Sequence, residues 1–238
     1  MLFLHGWAFD QRMWRVQHAL AERGLRVVTI DRRGFGASSA PPDINLELDD
    51  ITCVLDALFL DEVALVGMSQ GGRIALRYAI AMPQRLSHLV QQGAPIDGFP
   101  TAPSGSEAIP LVLFRQYMAE GNKAAFLQAW LAHDLMRYDH ALVPELIGEL
   151  VEVYEGRDLL QAPPDHYCRD VFSELGALVL PSLYIAGEHD TPWLKTVAAT
   201  FEKLVPNGHA ELVQSAGHLC NISRPQAYNS LLFDFLAP

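Results

Sequence analysis

The feature that most constrains this chain is a regular alternation between short apolar runs and longer amphipathic stretches. Strands of a buried parallel sheet are apolar on both faces and are joined by helices. The alternation therefore predicts an α/β fold, with a mostly parallel sheet covered by helices on both faces. The predicted strands are Leu2–His5, Arg26–Ile30, Val63–Gly67, Leu86–Gln92, Pro181–Gly187 and His209–Gln214. The predicted helices between them are Gln11–Arg23, Leu46–Leu58, Gln70–Met82, Leu194–Leu204 and Pro225–Leu236.

One region interrupts this rhythm. Residues 99–165 contain no strand pattern, but they contain helical patterns at Leu111–Glu120, Lys123–Leu135 and Ala141–Tyr154. A Pro/Gly/Ser-rich entry and a Pro163-Pro164 exit bound the region. We expect a helical cap over residues 99–165, inserted into a core formed by residues 1–98 and 166–238.

Composition excludes several classes of protein. The chain has 238 residues, half of them apolar, and no apolar run long enough to cross a membrane. Its net charge of −11 disfavours nucleic acid and membrane surfaces as partners. The three cysteines (Cys53, Cys168 and Cys220) form no CxxC motif, so neither a disulfide framework nor a zinc site is expected. The opening residues do not have the pattern of a secretory signal, and we expect a soluble cytoplasmic protein.

A candidate nucleophile lies in Gly67–Gly71, which reads GMSQG and fits the G-x-S-x-G motif. A predicted strand precedes the motif and a predicted helix follows it, which is the context that gives the motif its meaning. A tight turn between the two elements holds Ser69 in strained geometry above the sheet edge and requires small neighbours. The sequence therefore predicts Ser69 as a nucleophile.

A serine hydroxyl needs a base, and that base needs a carboxylate to orient it. His218 follows the last predicted strand, so it lies at the same sheet edge as Ser69. Asp190 follows the preceding predicted strand and is the first candidate for the acid, ahead of its neighbour Glu188. Asp97, which follows the strand Leu86–Gln92, is an alternative.

The first predicted strand ends in His5-Gly6-Trp7, a loop that should face Ser69. Gly6 allows the chain to pass close to the nucleophile. The backbone amides of Trp7 and Gln70 could then donate hydrogen bonds to an oxyanion. A plain turn with a core tryptophan would explain the same residues.

Aromatic side chains in the helical region could form a substrate pocket. The candidates are Phe114, Phe126 and Trp130, together with Leu131. Their helical spacing is more typical of the apolar core of the cap than of a pocket.

The motifs occur together in a familiar order. They are His5–Trp7, Asp31–Ser38, Gly67–Gly72, Gly187–Asp190 and Gly217-His218. Over its whole length the chain resembles the α/β-hydrolase fold superfamily, in the branch of small capped esterases, lactonases and perhydrolases. The resemblance implies a Ser69, His218 and Asp190 triad. Epoxide hydrolases and haloalkane dehalogenases carry aspartate where this chain has Ser69, and lipases of the HGGG type need glycines at Trp7 and Ala8.

The chain departs from this family at its beginning. Family members usually have some twenty or more residues before the His-Gly loop, which form an antiparallel hairpin, and this hairpin is apparently missing. The strand Arg26–Ile30 would then have an apolar edge with unpaired amides. We expect a second copy of the chain, or a rearranged segment, to cover that edge; a truncated reading frame is the alternative.

These observations predict a serine hydrolase that acts on small carboxylic esters through an acyl-enzyme intermediate, with no metal and no organic cofactor. Three alternatives use the same fold. They are carbon–carbon hydrolysis of diketones with basic groups at Arg32, Arg33 or Arg115, cofactor-free perhydrolysis, and a receptor that binds a small ligand without turnover. The acidic cap, with few lysines and arginines, disfavours a substrate carried on an acidic carrier protein.

Overall fold

A computed structural model describes residues 1–161 and 170–236. Within them, six strands form one sheet in the order β2-β1-β3-β4-β5-β6, and every pair of neighbours is parallel. The strands are β1 (Leu2–Leu4), β2 (Val28–Ile30), β3 (Val63–Met68), β4 (Leu86–Gln92), β5 (Ser182–Gly187) and β6 (Gly208–Val213). Each agrees with its predicted strand to within two residues, and the predicted fold class is confirmed.

Helices cover both faces of the sheet. The α-helices of the described residues are α1 (Glu47–Ala57), α2 (Gln70–Ala81), α3 (Leu111–Ala119), α4 (Lys123–Leu131), α5 (Asp134–Leu142), α6 (Pro144–Glu152), α7 (Arg157–Leu160), α8 (Pro192–Leu204), α9 (Cys220–Ser223) and α10 (Pro225–Leu236). Segments of 3₁₀-helix, which has fewer residues per turn than an α-helix, occur at Gln11–Arg23, Pro83–Arg85, Gly105–Glu107 and Phe172–Ala177. Because strand residues alternate between faces, the buried side chains form two clusters. One cluster packs against α2 and α8, and the other packs against the segment Gln11–Arg23 and α10.

The region predicted as a cap forms helices α3–α7, called the cap helices below. The predicted helix Lys123–Leu135 is wrong as one element, because it divides into α4 and α5. His133 has extended backbone angles, and its Nδ1 accepts a hydrogen bond from the amide of Leu135 at 3.2 Å. This is an N-cap, which starts a new helix. The apolar residues of the cap helices join the cluster on one face of the sheet instead of forming a separate core.

Strand β2 lies at one edge of the sheet, as the sequence predicts. Its three residues are half-buried, and only β1 pairs with it among the described strands. Pairing of this edge with a second chain stays a prediction.

Some sequence-based expectations concern residues outside the described ranges. These are the Pro163-Pro164 exit, Cys168, and the second boundary between the proposed cap and core at 165/166. Cys53 and Cys220 are described, and both are free thiols. In the described parts of the chain, no helix is long and apolar enough to span a bilayer.

Candidate active site

Ser69 lies in the turn between β3 and α2, with φ 51° and ψ −116°. A non-glycine residue rarely adopts a positive φ, and such strain is found most often at functional sites. The neighbouring glycines allow the turn to be tight. A Cβ on Gly67 would lie 2.6 Å from the carbonyl carbon of Gly71, and a Cβ on Gly71 would lie 2.5 Å from the carbonyl oxygen of His5. The small residues of the motif are therefore required by backbone packing.

The structure brings His218 and Asp190 together. The Nδ1 atom of His218 lies 3.0 Å from Oδ2 and 3.2 Å from Oδ1 of Asp190, and both side chains are buried. Oδ1 of Asp190 also accepts the amide of Thr191 at 2.8 Å, which fixes the carboxylate. Gly93 packs against this pair, because a Cβ there would lie 2.6 Å from Nδ1 of His218. A carboxylate at Nδ1 leaves Nε2 free to act as the base.

Gln92, which the sequence analysis missed, connects this pair to Ser69. Its backbone carbonyl accepts the amide of Ser69 at 2.7 Å, and its side-chain Nε2 donates to the carbonyl of His218 at 2.9 Å. Nε2 also donates to Oδ1 of Asn221 at 2.9 Å. Neither the Ser69 hydroxyl nor the His218 Nε2 makes a hydrogen bond to another of the described residues. Two glutamines at the end of an apolar strand were the available signal, because a buried amide needs partners.

The alternative acids have other partners. Asp97 is buried between two guanidinium groups, with Oδ1 2.6 Å from Nε of Arg73 and Oδ2 2.5 Å from Nε of Arg77. Glu188 accepts the amide of Ser215 at 2.8 Å. Of the three candidate carboxylates, only Asp190 contacts His218.

The loop that carries Trp7 lies beside the Ser69 turn. A Cβ on Gly6 would clash with the sulfur of Met68, and the close approach of Gly71 to His5 places the start of α2 against the end of β1. The amide of Gln70 is the first of α2, so it has no partner within the helix. The backbone N–H groups of Trp7 and Gln70 donate no hydrogen bond to any residue in the described ranges.

The three predicted pocket aromatics pack against the indole of Trp7. The ring of Phe114 stacks on it at 6.1 Å between centroids, and Phe126 and Trp130 meet it edge-on at 6.2 Å and 5.0 Å. All three side chains are buried within the larger apolar cluster. This burial fits the alternative that the three aromatic side chains are core residues of the helical region.

A buried network holds the loop after β1. His5 Nδ1 lies 2.8 Å from the carbonyl of Gly6, and its Nε2 accepts the amide of Arg32 at 3.0 Å. Burial lowers the pKa of His5 well below its usual value, and the adjacent Arg32 cation lowers it further. The Arg32 guanidinium pairs with Glu47 at 2.6 Å and donates to the side-chain oxygen of Gln70 at 2.9 Å. Both nitrogens of His5 are thus occupied, and it has no role as a base.

The basic groups considered for diketone binding have partners as well. Arg32 pairs with Glu47 as described above, and the Nε of Arg33 lies 2.6 Å from Oδ2 of Asp50. The Nε of Arg115 donates to the carbonyl of Leu159 at 3.0 Å. None of these contacts involves Ser69 or His218.

A second residue that the sequence analysis missed is Asp139, on α5. Its buried carboxylate accepts the amides of Gly217 at 2.9 Å and Leu219 at 2.8 Å, which flank His218. Its Oδ1 also accepts the hydroxyl of Ser223 at 2.5 Å. Nothing in the helical pattern of the cap distinguishes Asp139 from its exposed acidic neighbours, so no sequence signal was available.

Other reactive groups near the site are held neutral. Burial raises the pKa of the Cys220 thiol well above its usual value, and the nearby Asp139 and Asp190 carboxylates add to this effect. Burial and Asp190 likewise raise the pKa of the Tyr184 phenol, which donates to the carbonyl of Ala94 at 2.8 Å. Ser69 is thus the better nucleophile candidate than the buried cysteine. Within the described ranges, no group of three His, Cys, Asp or Glu residues could hold a metal ion.

Comparison with known proteins identifies the fold. Residues 1–225 match the family model described as "alpha/beta hydrolase fold". The chain is similar to a thermophilic esterase from Thermogutta terrifontis, with a TM-score of 0.82 and 22% identity over 99% of this chain and 88% of the other. At that identity the likeness concerns the fold.

Relatives of similar sequence have different reactions. Epoxide hydrolase 3 of Xenopus tropicalis is 28% identical over 99% of this chain and 71% of its own length. A 2-hydroxy-6-oxononadienedioate/2-hydroxy-6-oxononatrienedioate hydrolase of Cupriavidus pinatubonensis is 29% identical over 97% of this chain and 82% of its own. A pimeloyl-[acyl-carrier protein] methyl ester esterase of Aeromonas hydrophila is 26% identical over 99% of this chain and 94% of its own. These relatives are hydrolases, and their names do not agree on one substrate.

Proposed function

Because this chain belongs to the α/β-hydrolase fold family, whose relatives here are hydrolases, we propose that it is a serine hydrolase of small carboxylic esters. The observation that carries the proposal is the buried contact of 3.0 Å between His218 and Asp190, joined through Gln92 to the strained turn at Ser69. We propose Ser69, His218 and Asp190 as the catalytic residues.

In the proposed reaction, His218 Nε2 takes the proton of Ser69 as Oγ attacks the ester carbonyl. Asp190 holds the proton on Nδ1 and stabilises the imidazolium. The amides of Trp7 and Gln70 donate to the oxyanion of the tetrahedral intermediate. The loss of one such donor costs on the order of 100- to 1000-fold in rate. His218 then protonates the leaving alcohol, and a water molecule that it activates hydrolyses the acyl-enzyme.

The other reactions on this fold have less support. The epoxide hydrolase resemblance is opposed by Ser69, which stands where those enzymes carry an aspartate. Carbon–carbon hydrolysis has less support because two of its three candidate basic groups, Arg32 and Arg33, are paired with carboxylates. A carrier-protein substrate is opposed by the acidic cap surface. On the cap helices, Glu145, Glu149 and Glu152 are exposed.

The proposal is tested with a fluorophosphonate probe and a series of p-nitrophenyl esters from acetate to decanoate. We expect labelling at Ser69, and turnover that is fastest for one part of the series. The variant Ser69→Ala should be neither labelled nor active. Labelling without ester turnover would favour the diketone or receptor alternatives, and hydrogen-peroxide-dependent product would favour perhydrolysis. An unlabelled wild-type protein would remove the mechanism.

A further inference from the structure

Two parts of the molecule that are far apart in the sequence meet at the His218 loop. Helix α5 belongs to the cap helices, whereas residues 214–219 connect β6 to α9. Asp139 of α5 accepts the amides on both sides of His218, at 2.9 Å from Gly217 and 2.8 Å from Leu219. One carboxylate therefore holds the backbone of the proposed base from both sides.

The approach of α5 to this loop depends on Gly217. A Cβ at that position would lie 2.6 Å from Oδ2 of Asp139 and 3.2 Å from Cβ of Tyr138. The absence of a side chain thus allows the helix and the loop to approach closely. Gly217 is not among the residues with positive φ, so its backbone angle does not require a glycine. The close contact with α5 explains why a glycine occupies this position.

The hydrogen bonds at Asp139 require a side chain with two acceptor oxygens. Oδ1 accepts from Gly217 and from the Ser223 hydroxyl, and Oδ2 accepts from Leu219. All three partners are donors, and the carboxylate is buried. An asparagine of the same shape could keep the Oδ1 contacts, but its amide group would face the N–H of Leu219 without an acceptor.

We propose that Asp139 is a positioning residue for His218, through which the cap helices set the orientation of the imidazole toward Asp190 and Ser69. The inference rests on the proposed function for its kinetic consequence. Its structural consequence, the geometry of the contact between His218 and Asp190, can be tested without any substrate. In this arrangement a shift of α5 also shifts the backbone of His218, because the carboxylate holds both neighbours of that residue.

The test compares Asp139→Asn with Asp134→Asn, the same substitution on the same helix. Among the described residues, Asp134 forms an ion pair only with the exposed Arg137, at 3.2 Å. For Asp139→Asn we expect kcat on the best p-nitrophenyl ester to fall about 10- to 100-fold, with KM changed by less than about threefold. Asp134→Asn should behave as the wild type. Thermal unfolding must show that both variants are folded at the assay temperature.

The second measurement is the NMR signal of the proton bound to Nδ1 of His218, in protein labelled with ¹⁵N-histidine. The signal is assigned by its loss in His218→Gln, and Asp190→Asn shows how it looks when the contact with Asp190 is broken. We expect Asp139→Asn to shift or broaden this signal. A substitution that only lowered stability would leave the signal of the folded molecules unchanged.

Three results would overturn the proposal: a folded Asp139→Asn with kcat within about twofold of the wild type and an unchanged Nδ1 signal; an equal loss in Asp134→Asn; or a loss confined to KM. If Asp139→Asn does not fold, Ser223→Ala replaces it, because this removes one of the three donors that hold the Asp139 carboxylate without changing any residue of the His218 loop. A few-fold lower kcat with a shifted signal supports the proposal, and no change in either refutes it.

An inactive, unlabelled wild type would refute the proposed function alone, and the NMR comparison would still decide the role of Asp139.

Discussion

The carboxyl edge of the sheet has two halves that use the same kinds of residue differently. On the β5–β6 side, a buried histidine meets a buried carboxylate, and the second nitrogen of His218 has no partner among the described residues. On the β1–β4 side, His5 has both nitrogens occupied, and Asp97 is enclosed by two arginines. The comparison shows that the partners of a group, and not its place after a strand, decide whether it can take part in chemistry.

The largest expected difference is between the two aspartates in catalysis. Asp190→Asn should lower kcat about 10⁴-fold, because an amide at Nδ1 no longer favours the required tautomer or the imidazolium. Asp97→Asn should leave kcat within a few-fold of the wild type. Steady-state kinetics on the same ester measures both, and equal losses in the two variants would contradict the comparison.

Asp97 should instead contribute to the stability of the fold. Asp97→Asn leaves the buried guanidinium of Arg77 without its charged partner, and we expect a loss of about 3–5 kcal/mol in the free energy of unfolding. The control is Asp50→Asn, which breaks the more exposed pair with Arg33 and should cost about 1 kcal/mol or less. Urea unfolding at pH 7.5 compares the two. Similar losses would show that burial of the Asp97 pair does not matter.

The two buried histidines should differ in how pH affects stability. The pKa of His5 is lowered by burial, so below about pH 6.5 the unfolded chain binds a proton that the folded chain excludes. Stability from this group is therefore present above pH 6.5 and is lost as the pH falls. Between pH 7.5 and 5.5 the wild type should lose about 1.4 kcal/mol more than His5→Asn. An equal loss in both proteins by urea unfolding would mean that His5 can accept a proton while folded.

A further comparison separates the two arginines around Asp97, of which Arg73 should show the smaller effect. Arg73 has a side chain that is 31% exposed, whereas that of Arg77 is 5% exposed. Arg73→Gln should cost about 1 kcal/mol or less, and Arg77→Gln several times more, because a buried charge depends more on its partner. Chemical denaturation of the two variants checks the order, and a larger loss for Arg73→Gln would show that the exposed arginine holds Asp97.

Most of the fold could be predicted from the sequence, because hydrophobic periodicity is a local property. The apolar strand Leu86–Gln92 has its predicted bounds, and β2 lies at the predicted edge. The Lys123–Leu135 pattern predicts one helix where the structure has two, since apolar spacing continues across the N-cap at His133. A histidine is an uncommon capping residue, so the pattern contained no signal for this break.

The candidate site was predictable where a motif occupies consecutive residues. Gly67–Gly71 identifies Ser69 and the start of α2 without any tertiary information. Asp190 and Asp97 could not be separated with the same certainty, because each follows a strand that ends at the same edge. The two carboxylates are distinguished by the positions of Arg73 and Arg77 in the structure, which form ion pairs with Asp97.

The sequence by itself determined the α/β architecture and the turn at Ser69. It also determined that the candidate site lies at the edge of the sheet where the strands have their carboxyl ends. These follow from periodicity and from the steric needs of glycine-rich turns, which act over a few residues. Only the tertiary structure decided that Gln92 joins Ser69 to His218 and that Asp139 holds the His218 loop. Such hydrogen bonds join residues far apart in the chain, and their strength depends on distances of tenths of an ångström that no local pattern encodes.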